Sequence, residues 1–149
     1  MIRVSIASPQ ETVAVDRASM RQTVRTVLEG EGQNNAEISL AFVDNATIRQ
    51  LNQRYLQHDK PTDVLSFSLS EGKAGKLMGE LVIGAEVARE QAEEGGHDVR
   101  AELALYVIHG LLHLCSYDDK TPAGVAKMRA RERYYLQQLG LPDIAPVEE

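Results

Sequence analysis

The chain has 149 residues, 43% of them apolar, which fits one globular domain over 1–149 with a core of its own and marks no second one. Its formal net charge of −6, from 16 basic and 22 acidic side chains, argues against strong non-specific nucleic-acid binding, which rests on counterion release by many Lys and Arg contacts. The single cysteine, Cys115, excludes an intrachain disulfide and a thiolate zinc cluster and reads as a small buried hydrophobe. Met1-Ile2-Arg3-Val4-Ser5 is not a signal-peptide start, and no apolar run reaches the roughly 18 residues of a membrane span, so a soluble, cytoplasmic protein is expected.

Ile2 to Ile6 alternates apolar and polar residues and predicts a short strand. Ser8-Pro9-Gln10-Glu11 combines an N-cap serine, proline at the first helical position and a glutamate three residues after the cap, which predicts a helix start. Val13, Met20, Val24, Val27 and Leu28 lie mainly on one face of that helix, and Glu29-Gly30 can end it. Glu37 to Val43 is the second strand, with Ile38, Leu40 and Phe42 alternating. Asp44 can cap the next helix, on which Ile48, Leu51 and Tyr55 recur at helical spacing. Lys60-Pro61-Thr62-Asp63 turns the chain into a third strand, Val64 to Leu69. There Leu65, Phe67 and Leu69 share one face, while Ser66 and Ser68 share the other with Val64 and can border a groove; a half-solvated edge strand is the alternative. After a flexible loop from Glu71 to Lys76, Gly79 to Gly84 is the fourth strand, and Glu86 to Glu94 an exposed helix that Gly95-Gly96 ends.

Asp98 caps the next helix, with Glu102 in its first turn favoured by the helix dipole. From Leu103 to Cys115 this helix is apolar nearly all round, which means buried. Apart from Tyr106, its only ionisable side chains there and up to Leu114 are His109 and His113. Four residues apart, they stand on one face, one turn from each other, with their nitrogens able to converge on one ion. Two unpartnered imidazoles in a hydrophobic core are costly, and zinc or a similar divalent metal satisfies both. The turn-rich run Ser116-Tyr117-Asp118-Asp119-Lys120-Thr121-Pro122 then swings the chain back, so that Asp118 or Asp119 can supply a carboxylate. Two imidazoles plus a carboxylate, with a position left open, is the pattern of catalytic rather than structural zinc sites. His58 and His97 have no partner at ligand spacing and read as bystanders.

Thr121-Pro122 starts a last helix on which Val125, Met128, Tyr135, Leu136 and Leu139 face inward, and Gly140 with Pro142 stops it. Lys127, Arg129, Arg131 and Arg133 make it basic, either an RNA face or an ordinary solvated one, and the tail from Asp143 to Glu149 is expected to be mobile. Charge is also uneven earlier: Arg49, Arg54, Lys60, Lys73 and Lys76 face only Asp59, Asp63 and Glu71, whereas Glu86 to Glu102 carries six carboxylates against two arginines. The first flank can hold RNA locally, with Arg54, Lys60 and Ser66 as candidate contacts. The order β-α-β-α-β-β-α-α-α predicts an α+β domain, a small mixed sheet covered by helices around the helix of His109.

The run His109-Gly110-Leu111-Leu112-His113-Leu114-Cys115-Ser116-Tyr117-Asp118-Asp119 resembles the His-Gly-x-Leu-His-Leu-x-Gly-Tyr-Asp-His signature of the YbeY family of metal-dependent endoribonucleases. Leu51-Asn52, Tyr55, Asp59 to Phe67, Met78 to Ile83, Met128 with Glu132, and Leu139-Gly140-Leu141 follow that family in order and spacing, so the resemblance spans roughly residues 36 to 141. It implies a four-stranded sheet with one antiparallel strand, a metal site in a cleft between sheet and helices, and single-strand-specific RNA cleavage in ribosomal RNA maturation and ribosome quality control. The implied partners are precursor RNA and the ribosome or its factors. His109 and His113 carry over directly. The family's third histidine is Asp119 here, its glycine before the tyrosine is Ser116, and the arginine that usually follows Tyr55 is Leu56. Asp119 as third ligand to one Zn2+ is therefore an inference from its position and chemistry, since a carboxylate oxygen binds zinc about as closely as imidazole nitrogen does.

Gly110 stands where zinc proteases with a His-Glu-x-x-His helix carry their general base, which weakens a peptidase reading. Deprotonation of water then falls to the metal or to a carboxylate such as Asp118, which can equally cap the helix end or orient a histidine. Two alternatives stay open: a zinc hydrolase of another substrate, and a ribosome- or RNA-binding protein of the same fold with impaired catalysis, which Leu56, Ser116 and Asp119 favour.

Overall fold

The computed structural model describes residues 1–56, 63–70 and 75–146. Along the chain run β1 (Ile2–Ala7), α1 (Arg17–Gly30), β2 (Ala36–Val43), α2 (Asn45–Leu56), β3 (Val64–Ser68), β4 (Leu77–Gly84), α3 (Ala85–Gly95), α4 (Val99–Leu114) and α5 (Pro122–Gln138). The strands form one sheet in the order β1-β2-β4-β3. β1, β2 and β4 are parallel, with Ile38 opposite Val4 and Gly79, and β3 runs antiparallel to β4 with Ser66 opposite Leu81. The expected α+β architecture, a four-stranded mixed sheet with one antiparallel strand, is the one found.

Alternation along the strands divides the sheet between two apolar layers. Ile38, Leu40, Leu81 and Ile83 join α1, α3, α4 and α5 in the main core. Val43, Leu65 and Val82 meet Ile48 of α2 on the opposite face. α4 lies at the centre of the main layer, buried from Ala101 to Ile108 and again at Gly110, Leu111 and Leu112, and it touches α1, α3, α5, β3 and β4. That surrounding is what its nearly continuous apolar sequence requires. Gly110 permits the close approach to the sheet: a Cβ there would sit 2.8 Å from a Leu81 methyl and 3.2 Å from Ser66 Oγ. No helix among the described residues is long and apolar enough to cross a membrane.

The first helix begins later than its sequence suggests. No helix starts at Ser8-Pro9; α1 starts at Arg17, where Asp16 accepts a hydrogen bond from Ser19 N at 3.1 Å. The buried Gln10 side chain explains the difference. Its amide takes the Val13 N–H at 2.9 Å and donates to Val13 O at 2.8 Å, giving the segment local bonds that replace a helical turn. Val13 is buried but lies ahead of the helix. At the other end of the chain Ile144 and Ala145 lie against the main core, and residues 147–149 are outside the described set. His58 and the candidate RNA contact Lys60 are also outside it.

Candidate metal centre

α4 places His109 and His113 one turn apart with their Nε2 atoms 3.1 Å from each other. The turn after α4 returns the Asp119 carboxylate to them, Oδ2 standing 3.3 Å from His113 Nε2 and 4.0 Å from His109 Nε2. Among the described residues these are the three whose ligand atoms converge, all within 4.8 Å of one another. Donors bound to one tetrahedral ion at about 2.0–2.1 Å lie roughly 3.3 Å apart, so the triangle is close to the size that zinc requires.

Hydrogen bonding fixes which nitrogens face the centre. Glu132, fully buried on α5, sits 2.6 Å from His109 Nδ1 and takes the Arg129 guanidinium on both oxygens, at 2.7 and 2.8 Å. An ionised carboxylate only accepts, so Nδ1 carries the proton and Nε2 presents its lone pair. Burial, then the neighbouring His109, lower the His113 pKa, against a smaller opposing pull from Asp119. His113 is therefore neutral at neutral pH, the form that binds metal. Two imidazole nitrogens facing each other at hydrogen-bond distance need a proton or a cation between them. An Nε2–H of one ring can bridge to the other, and the same two nitrogens with the Asp119 carboxylate form a donor set that fits a divalent metal.

Two openings meet at this point. A cleft of about 650 Å3 reaches His109, Asp119 and Glu132 past Tyr106 and Ile144. A groove of about 420 Å3 runs along β3, lined by Ser66 and Ser68 together with His109, His113 and Asp119. The serine face of β3 thus borders a groove, with Ser66 Oγ 3.4 Å from the Gly110 carbonyl that accepts its hydrogen bond. Arg54, by contrast, lies in the last turn of α2 with its guanidinium 5.9 Å from the centroid of the Tyr55 ring, and it lines neither opening. Asp118 is exposed, accepts a hydrogen bond from Lys120 N at 2.7 Å and borders a separate hollow beside Tyr117 and Lys127. Cys115 closes the end of α4, and burial pushes its thiol up to about 11.

Several features escape sequence reasoning. Glu132 stands out in the sequence only as a match to the family pattern, and its burial and its bond to His109 are not foreseen, although it shares a helical face with Met128, Tyr135 and Leu136, and an acid among three core residues is the signal. His97 stays outside the metal group, but its Nε2 is 2.6 Å from the buried Glu102 carboxylate, a contact made across the start of α4. Three of the four basic residues of α5 are engaged within the chain, Arg129 with Glu132, Arg131 with Glu31 and Arg133 with Asp143 and Pro146 O, while Lys127 is exposed. Ser116, by contrast, adopts φ 74°, the left-handed conformation that the glycine at its place in the family's signature implies.

The family model described as Endoribonuclease YbeY matches residues 5–140. Proteins named Endoribonuclease YbeY from Salinibacter ruber and Carboxydothermus hydrogenoformans are each 40% identical to this chain, over 89% and 91% of it and 89% and 96% of their own lengths. One from Bacillus cereus strain G9842 is 38% identical over 88% of this chain and 93% of its own. The solution structure of a Thermotoga maritima protein superposes with a TM-score of 0.62, covering 99% of this chain and 100% of its own at 24% identity, which bears on the fold alone. With the family model spanning nearly the whole chain, this protein belongs to the Endoribonuclease YbeY family.

Proposed function

We propose that the chain acts as a zinc-dependent endoribonuclease that cuts single-stranded precursor ribosomal RNA in the cytoplasm, working on the ribosome or with its assembly factors as one domain over 1–149. The observation that carries the reading is the facing pair of imidazole nitrogens 3.1 Å apart with a carboxylate oxygen 3.3 Å from one of them. His109, His113 and Asp119 would hold the ion. A bound divalent cation supplies Lewis acidity, which acidifies water and withdraws charge from a phosphoryl oxygen.

The protein's own groups do the rest. Glu132 and Arg129 hold His109 in one tautomer and orientation, with Nε2 turned to the centre. Ser66 and Ser68 line the groove with hydroxyls suited to phosphate oxygens and ribose 2′-hydroxyls, and the two openings let a single strand pass across the centre. Leu56 occupies the position of the family's arginine and offers no guanidinium to the phosphate, which leaves more of the charge stabilisation to the metal. With a net charge of −6, the chain relies on this local fit rather than on long-range attraction.

The test is cleavage of end-labelled single-stranded and duplex RNA by chelator-stripped protein, before and after zinc is restored. Cleavage of the single strand only, and only with metal, is expected. Metal-loaded protein that binds RNA or ribosomes without cutting would contradict the nuclease reading and favour the impaired binding protein.

A further inference from the structure

Asp119 presents a positioning problem. Unlike the histidines it lies beyond the end of α4, on a turn with a left-handed serine, and its side chain is 41% exposed. Its ion pairs among the described residues are with His109 and His113 alone, so some other contact must hold the turn in place. Two residues before it, the Tyr117 hydroxyl donates at 2.7 Å to Oε1 of Glu31, the residue that ends α1. The other oxygen, Oε2, accepts from Arg131 Nη2 at 2.7 Å and Nε at 3.1 Å, and from the Tyr135 hydroxyl. On the far side of Asp119, Thr121 Oγ1 accepts from Gly124 N at 3.0 Å and anchors the turn to the start of α5.

We propose that Glu31 is a positioning residue for the metal carboxylate: through Tyr117 it fixes the turn that presents Asp119 to His109 and His113. The inference rests on the reading of Asp119 as a ligand and extends it to a residue 86 positions from Tyr117 in sequence. The Glu31 side chain is only 10% exposed. Burial works to raise its pKa, but the hydrogen bonds from Tyr135, Arg131 and Tyr117 outweigh it and keep the carboxylate ionised. Its two oxygens divide the work, one toward the turn and one toward α5. Arg131 is next to Glu132, so a single stretch of α5 orients His109 directly and Asp119 at one remove.

That division supplies a clean variant. Glu31→Ala would strand Arg131 and endanger the fold, whereas Tyr117→Phe removes only the bond to the turn and leaves Glu31 with Arg131 and Tyr135. Zinc dissociation constants, measured against a chromophoric chelator, are compared for the unmodified chain, Tyr117→Phe, Asp119→Ala and the double variant. Tyr117→Phe is expected to weaken binding by about tenfold when Asp119 is present and to have no further effect when it is absent. Melting temperatures of the metal-free forms should instead fall by the same amount in both backgrounds. Binding by Tyr117→Phe within about twofold of the unmodified chain would overturn the proposal, and so would a tenfold loss that persists without Asp119. In either case Asp119→Ala still binding more weakly than the unmodified chain would leave the ligand reading intact. An unmodified chain that takes up no zinc would overturn both.

Discussion

His109 and His113 stand on a helix buried along most of its 16 residues, whereas Asp119 hangs on a turn whose residues from Asp118 to Thr121 are exposed. The helical half of the site is specified by the backbone. Once α4 forms, the two rings must share a face, and Glu132 with Arg129 only selects tautomer and angle. The turn half has no such repeat and depends on individual side-chain bonds and on one residue in an uncommon conformation. The departures from the family's signature follow this division: His109, Gly110 and His113 are kept, while Ser116 and Asp119 lie on the turn.

Breaking the helical half should have the larger effect on stability. Glu132→Ala leaves the Arg129 guanidinium and the His109 ring without their buried carboxylate, and a loss of about 3 kcal/mol is expected. Thermal unfolding should show it as a fall in Tm of roughly 10 °C, since about 2–4 °C per kcal/mol is usual for a chain of this size. On the turn, Ser116→Gly should raise stability by about 1 kcal/mol, because glycine adopts a φ of 74° without the clash a Cβ meets there. An unchanged or lower Tm would show that the serine side chain is favoured at that position.

Acid should loosen the turn half through Glu31. The folded pKa of Glu31 is below its ordinary 4.5, so its contribution is complete above that value and is lost as pH falls through the lowered folded pKa. Denaturant midpoints measured across the acid range should therefore fall less steeply in Glu31→Gln than in the unmodified chain. A last prediction, on reactivity rather than stability, concerns Cys115, between the two halves. With its pKa pushed up to about 11, alkylation near pH 8 should be on the order of a hundredfold slower than in the unfolded chain. Equal rates would show that the end of α4 opens freely.

The same division governs how much the sequence reveals. Periodicity marked the buried α4, the histidine pair and the serine face of β3, because regular elements convert spacing into direction. Asp119 was legible as a carboxylate beyond a helix end, standing where the family's signature has its third histidine. Glu132 was visible as a match to the family pattern, but its place beside His109 was not, because a charged residue within a helical pattern ordinarily faces water, and its burial depends on partners 23 residues away and one turn along α5. The His97–Glu102 pair was hidden because its spacing spans a helix start rather than a helical turn. At Ser8-Pro9 the helix-start signal was genuine as chemistry, but Gln10 captured the backbone groups locally.

The most direct test of the account is zinc content per chain after chelator stripping and reconstitution, in the unmodified protein, His113→Ala and Asp119→Ala. One ion per chain, lost in His113→Ala and weakened in Asp119→Ala, is the predicted result. No stoichiometric zinc in the unmodified protein, or an ion that survives both substitutions, would contradict a centre built from two helical imidazoles and one carboxylate on a turn.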